Sequence, residues 1–130
     1  MGKFAGPGAI RRGKVVVIDD DQSMRELVAL HLRNEGYEVA LAEDAVVGGR
    51  LILTRAPDLI LCDVEMPYLN GYEFVAALKT HVTTRHIPVV FLTVRNDVEE
   101  QAPKLGAAAY LRKPLTVDRL LQVVSLLTPQ

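Results

Sequence analysis

From Lys14 onward, short β-branched runs alternate with longer stretches in which apolar residues recur at every third or fourth position. Lys14 to Ile18 predicts a buried strand, and it delivers Asp19, Asp20 and Asp21 at its carboxyl end. Met24, Leu27, Val28, His31 and Leu32 follow at helical spacing, with Ser23 and Glu26 as a start signal and Gly36 as a stop. Tyr37 to Leu41 alternates as a second strand, and Asp44 caps a helix that runs to about Arg55, ahead of Pro57. Gly48 and Gly49 weaken that helix by about 1 kcal/mol each relative to Ala. Leu59 to Cys62 is the third strand, after which Asn70 with Glu73 opens a helix carrying Phe74, Val75 and Leu78. Val89 to Leu92 reads as a fully buried strand ending in Thr93. Asn96 with Glu99 marks a fourth helix that Pro103 must shorten or kink. Ala108 to Leu111 is a small-residue strand broken by Lys113-Pro114, and Val117, Leu120, Leu121, Val124 and Leu127 form a last amphipathic helix.

Five strands alternating with five helices predict an α/β fold, a parallel sheet with right-handed crossovers and helices on both faces. In such doubly wound sheets, ligands bind outside the carboxyl ends of the strands, near the point where strand order reverses. Asp19, Asp20, Asp63, Thr93 and Lys113 each lie just past a predicted strand, so one crevice gathers them all.

The length of 130 residues fits one domain, expected over 14–128 behind a flexible leader at 1–13. With 49% hydrophobic residues and a formal net charge of -1, the chain shows no bias toward polyanions, and direct nucleic-acid binding gains no support. The single Cys62 excludes an internal disulfide and a cysteine-based metal cluster, which fits a reducing, cytoplasmic setting. No apolar run is long enough for insertion into a membrane.

Asp63 ends the apolar run of DLILCDVEMPYLNG, and Pro67 with Asn70-Gly71 turns the chain after it. An acid at the end of a buried strand needs a partner. Three carboxylates crowded together repel one another, and burial raises the cost of their charges. A cation must therefore sit among them. The donors are all oxygens, so the hard ion Mg²⁺ is the natural guest for Asp19, Asp20 and Asp63. Lys113 adds a mobile cation and Thr93 a hydroxyl, a set suited to a phosphoryl group, and a carboxylate can serve as its nucleophile.

These residues resemble a known family, the receiver domains of two-component response regulators. IDDDQSMRE is similar to the family's acidic first loop, DLILCDVEMPYLNG to its phosphoacceptor strand and loop, PVVFLT to its switch threonine, and GAAAYLRKP to its lysine segment. The resemblance covers about Lys14 to Leu127. It implies a flavodoxin-like five-stranded sheet in the order 2-1-3-4-5 and a phosphoryl group accepted by Asp63 from a histidine kinase or phosphotransfer protein. By the same resemblance, Asp19 and Asp20 support Mg²⁺, the backbone carbonyl of Glu65 completes the metal shell, and Lys113 contacts the phosphoryl group. Thr93 and Tyr110 shift together, the Lys113-Pro114 bond is cis, and the face built by the fourth helix, fifth strand and fifth helix signals to a downstream protein or output domain. Such a chain is no general enzyme; it catalyses only its own phosphorylation and dephosphorylation.

Val94 stands where the family has a small residue, Leu115 where it has Phe, and the segment from Thr93 to Lys113 is short and carries Pro103. Glu65 adds an acid beside the site. Two other readings compete: a receiver-like interaction module that signals without phosphorylation, and a haloacid-dehalogenase-type phosphatase, whose nucleophile motif Asp19, Asp21 and Ser23 loosely imitate.

Overall fold

The computed structural model describes residues 12–129; residues 1–11 of the expected leader, and residue 130, lie outside the described residues. In chain order the elements are β1 (Lys14–Ile18), α1 (Gln22–Asn34), β2 (Glu38–Ala42), α2 (Ala45–Arg55), β3 (Leu59–Asp63), α3 (Gly71–Lys79), β4 (Val89–Thr93), α4 (Val98–Lys104), β5 (Ala109–Arg112) and α5 (Val117–Leu127). All strand pairs are parallel, and the sheet order is β2-β1-β3-β4-β5. Arg12 and Gly13 already hydrogen-bond to the chain around β2, through Gly36 and Glu38.

Strand alternation splits the core into two layers. Val16, Ile18, Ile60, Cys62 and Phe91 pack with Ile52, Phe74, Val75 and Val98, under α2, α3 and α4. Val15, Val17, Leu61, Val90 and Leu92 pack with Val28, Leu32, Leu120 and Val124, under α1 and α5. The central strands β1, β3 and β4 are apolar on both sides because both sides are covered, which is why their sequences read as unbroken runs.

Local signals fix most helix starts. Asp44 accepts a hydrogen bond from the Val47 N–H, and Asn70 with Glu73 forms a reciprocal capping box. Helix α1 starts on Asp21, whose carboxylate accepts from the N–H groups of Ser23 and Met24; Ser23 lies inside the helix. Strand β2 begins one residue later than its pattern predicts, because the Tyr37 N–H is spent on Leu32 O in closing α1. The pairing Val90↔Ala109 likewise starts β5 one residue after Ala108. Gly48 has a packing reason: a Cβ there would lie 2.6 Å from Ile18 Cδ1, so the residue that weakens α2 also lets it close on β1.

The fourth helix departs most from expectation. It is short, with Pro103 inside it, as the proline requires, but Asn96 is not its cap. Asp97 holds the cap position in helical backbone geometry and makes no capping hydrogen bond. Its carboxylate is engaged elsewhere, by Arg95 and Tyr72.

Candidate functional site

Register alone brings the site residues together. Ile18 pairs with Cys62, so the next residues, Asp19 and Asp63, stand side by side at the carboxyl edge. Asp63 pairs with Leu92 and Thr93 with Arg112, which sets Thr93 one step beyond Asp63's partner and Lys113 one step beyond that of Thr93. The Lys113 N–H donates to Thr93 O at 2.9 Å, continuing the ladder past the end of β5. The Lys113-Pro114 peptide is cis.

Asp19 is fully buried, Asp63 is 4% exposed and Asp20 lies at the surface. One carboxylate oxygen from each of the three falls within 4.8 Å of the others. Lys113 Nζ reaches across at 2.9 Å to Asp19 Oδ2 and 3.5 Å to Asp63 Oδ1. The remaining Asp19 oxygen accepts the Asp21 N–H at 2.9 Å, and the Asp19 carbonyl accepts from Arg25 Nη1 at 2.7 Å. Asp19 is thus pinned at both its carboxylate and its backbone.

Burial, then the charge of Asp19, pushes the Asp63 carboxyl up to about 7, against the opposing pull of Lys113. Burial works against the Lys113 charge, but the Asp19 hydrogen bond and the charges of Asp19 and Asp63 outweigh it and hold the ammonium above its ordinary range. One ammonium among three acids leaves excess negative charge on an all-oxygen donor set. That chemistry fits a hard divalent cation held by Asp19, Asp20 and Asp63.

The loop after Asp63 is locked by backbone contacts. The Gly71 N–H donates to Val64 O at 2.8 Å, and a Cβ at Gly71 would collide with the carbonyl oxygen of Asp63. Only glycine permits this approach. Below Asp63, Cys62 is fully buried, and its thiol donates to Asp63 O.

Thr93 is 1% exposed, and its hydroxyl oxygen accepts the Arg95 N–H at 3.0 Å. Tyr110 is half-buried against the layer beneath α2, α3 and α4. Val94 is 63% exposed on the surface of the β4–α4 loop, and Leu115 packs against the opposite layer. Glu65 is exposed, and Arg95 engages its carboxylate at 2.9 Å. Asp21 stands outside the acid cluster because its carboxylate caps α1, so the second acid of the phosphatase-like motif is already committed. His31, His81 and His86 belong to no cluster of potential metal ligands among the described residues.

Sequence reasoning missed the cluster of Tyr72, Arg95 and Asp97 that meets Glu65 beside the site. Arg95 Nε and Nη2 grip Asp97 at 3.0 and 2.6 Å, Tyr72 Oη donates to Asp97 at 2.8 Å, and the guanidinium lies 5.2 Å from the Tyr72 ring centroid. The one available signal was the pair of opposite charges flanking Asn96, shortly after Thr93.

Comparison with known proteins agrees with this geometry. The family model for the response regulator receiver domain matches residues 15–125. Response regulator MprA of Mycobacterium sp. (strain KMS) is 38% identical over 110 residues, which cover 83% of this chain and 47% of that protein. The DNA-binding dual master transcriptional regulator RpaA of Synechocystis sp. is 34% identical, over 83% of this chain and 46% of its own length. The chain thus spans about half the length of these curated relatives. Among solved structures, chemotaxis response regulator CheY4 of Vibrio cholerae superposes with a TM-score of 0.81 at 31% identity, covering 88% of this chain and 97% of that one. The receiver domain of the Francisella response regulator 1452 gives 0.81 at 30% identity, over 88% and 95%. With the strand order, the acid cluster and these likenesses in agreement, the chain belongs to the family of response regulator receiver domains, the signalling domains of two-component systems.

Proposed function

We propose that Asp63 is the phosphoacceptor of a receiver domain spanning residues 14–128, and that Asp19, Asp20 and the backbone carbonyl of Glu65 join it in holding Mg²⁺. The observation that carries this reading is the grouping of three carboxylate oxygens within 4.8 Å, with Lys113 Nζ between Asp19 and Asp63. When bound, Mg²⁺ offsets the negative charge of the acids and of the incoming phosphoryl oxygens. An Asp63 oxygen attacks phosphorus, a P–O bond to Asp63 forms, and the P–N bond of a phosphohistidine donor breaks, its imidazole leaving with a proton from solvent. Lys113 then contacts the phosphoryl group, and Thr93 turns its hydroxyl from the Arg95 N–H toward it. Tyr110 follows, and the face of α4, β5 and α5 changes its affinity for a downstream protein or output domain. The donor is a histidine kinase or a phosphotransfer protein. The chain acts in the cytoplasm, catalyses only its own phosphorylation and dephosphorylation, and passes its signal through protein contacts, without touching nucleic acid directly. The name of RpaA describes DNA binding by a protein about twice this length.

Incubation with acetyl phosphate and Mg²⁺, read by intact mass, tests this assignment. A gain of one phosphoryl mass that disappears in Asp63→Asn is expected; the same gain in Asp63→Asn overturns it. A wild-type chain that gains no mass, and whose Tm is unmoved by Mg²⁺ with beryllofluoride, is instead the interaction module that signals without phosphorylation.

A further inference from the structure

Helix α4 has little to hold it in place. It is seven residues long, contains Pro103, buries only Val98 and Ala102 and has no side-chain cap. Its start is fastened from outside. Asp97 commits one carboxylate oxygen to Arg95 Nε and Tyr72 Oη, and the other to Arg95 Nη2. Arg95 Nη1 reaches Glu65, so each guanidinium nitrogen has a carboxylate partner. Burial, then the hydrogen bond to Asp97, pushes the Tyr72 phenol above its ordinary range, which keeps it a protonated donor. The Tyr72 ring meets Phe91 of β4 edge-on at 5.2 Å. One rigid, planar cation thus ties the loop after Asp63 to the first residue before α4, over a platform rooted in α3 and β4.

We propose that Arg95 is a positioning residue that transmits the state of the β3–α3 loop to helix α4, through Glu65 on one side and Asp97 on the other. The guanidinium works through Asp97, Glu65 and the Tyr72 ring, whereas Thr93 meets the same residue at its backbone, where the Arg95 N–H donates to the Thr93 hydroxyl oxygen. Asp97 has two alternatives, the guanidinium or the N–H groups at the start of α4, which it does not cap here. A displacement of Glu65 that loosens Arg95 releases Asp97 toward the second, so α4 exchanges one restraint for another. The transmission rests on the phosphoacceptor reading for its input, while the tie itself does not.

Hydrogen exchange over residues 96–104, read by mass spectrometry on the whole chain, separates the two. Without ligand, Arg95→Ala is expected to speed exchange in that segment by about threefold to tenfold, the range for losing a partly exposed polar network, and to leave α5 unchanged. Arg95→Lys, which keeps the charge but loses the fork, falls between. Glu65→Gln cuts the same bridge from its other end, and Glu65→Gln combined with Arg95→Ala is expected to exchange no faster than Arg95→Ala alone. Adding Mg²⁺ and beryllofluoride is expected to change exchange over 96–104 in the wild type. In Arg95→Ala at least half of that change disappears, although the ligands still raise Tm. Unaltered exchange in both Arg95→Ala and Glu65→Gln overturns the tie, and a full ligand response in Arg95→Ala overturns the transmission. If the ligands fail to raise the wild-type Tm, the phosphoacceptor reading falls, and the ligand-free comparison still decides the role of Arg95.

Discussion

The end of β3 and the end of β4 carry the two halves of the site, and they are held in different ways. Around Asp63 the restraints are buried and belong largely to the backbone: Gly71 against the Asp63 carbonyl, the Gly71 N–H on Val64 O, and Asp19 fixed by Asp21 and Lys113. Past Thr93 the restraints are side chains at the surface, with Arg95 and Asp97 about two-fifths exposed and Glu65 more so. Exposed ion pairs contribute little each and are readily exchanged, whereas backbone contacts in a packed interior admit one arrangement. The acid-bearing half is fixed by its packing, and the half past Thr93 is easily rearranged.

Substitution at Gly71 attacks that contrast at its strongest point. Gly71→Ala is expected to destabilise the chain by about 3 kcal/mol in urea unfolding, since the added methyl must displace the backbone of Asp63. A loss below about 1 kcal/mol would mean that the loop yields easily and that the two halves differ less than described. Asp63→Asn runs the other way. It removes a buried like charge beside Asp19, so metal-free stability is expected to rise by about 1–2 kcal/mol even as phosphorylation is abolished. Pro103→Ala restores a backbone donor facing the Glu99 carbonyl and is expected to stabilise α4 by about 1 kcal/mol, seen as slower amide exchange confined to that helix.

The smallest effect is a pH dependence. The Arg95 hydrogen bond, then that of Tyr72, holds the Asp97 carboxyl below its ordinary value of 3.8. A carboxyl depressed by folding adds stability that is present above its unfolded value and lost as pH falls through the folded one. Acidification below 3.8 should therefore loosen the start of α4 before the core, and the carboxyl carbon shift of Asp97, followed by NMR, is expected to titrate below that value. Titration at or above 3.8 would show that Arg95 does not hold Asp97 in solution.

The difference between the halves also explains what could be read from the sequence. Buried strands announce themselves by composition, so Val15 to Ile18, Leu59 to Cys62 and Val89 to Leu92 were legible, and with them the acids and Thr93 that follow, while Lys113 was marked by the proline break after the small-residue strand β5. Register then did the rest, because parallel pairing brings the residues after neighbouring strands to one edge. The cluster around Arg95 obeys no periodicity. Glu65, Tyr72 and Arg95 lie on three separate segments and meet through side-chain reach, which no local pattern encodes. The same competition explains the misplaced cap of α4: Asn96 with Glu99 forms a sound local signal, but the tertiary partners of Asp97 decide where the helix begins. At Asn70 the reciprocal bond with Glu73 holds the helix start, and the local signal prevailed.

Cys62, the chain's single cysteine, gives that rigid half a clock. Burial, then the charges of Asp63 and Asp19, pushes its thiol far above the ordinary range, so in the closed fold it presents neither a surface nor a thiolate to an alkylating reagent. Modification must wait until β3 comes away from its neighbours. The rate at which an unaltered sample takes up iodoacetamide therefore times the opening of the strand that carries Asp63, and a ligand that clamps the carboxyl edge slows that rate with no engineered probe.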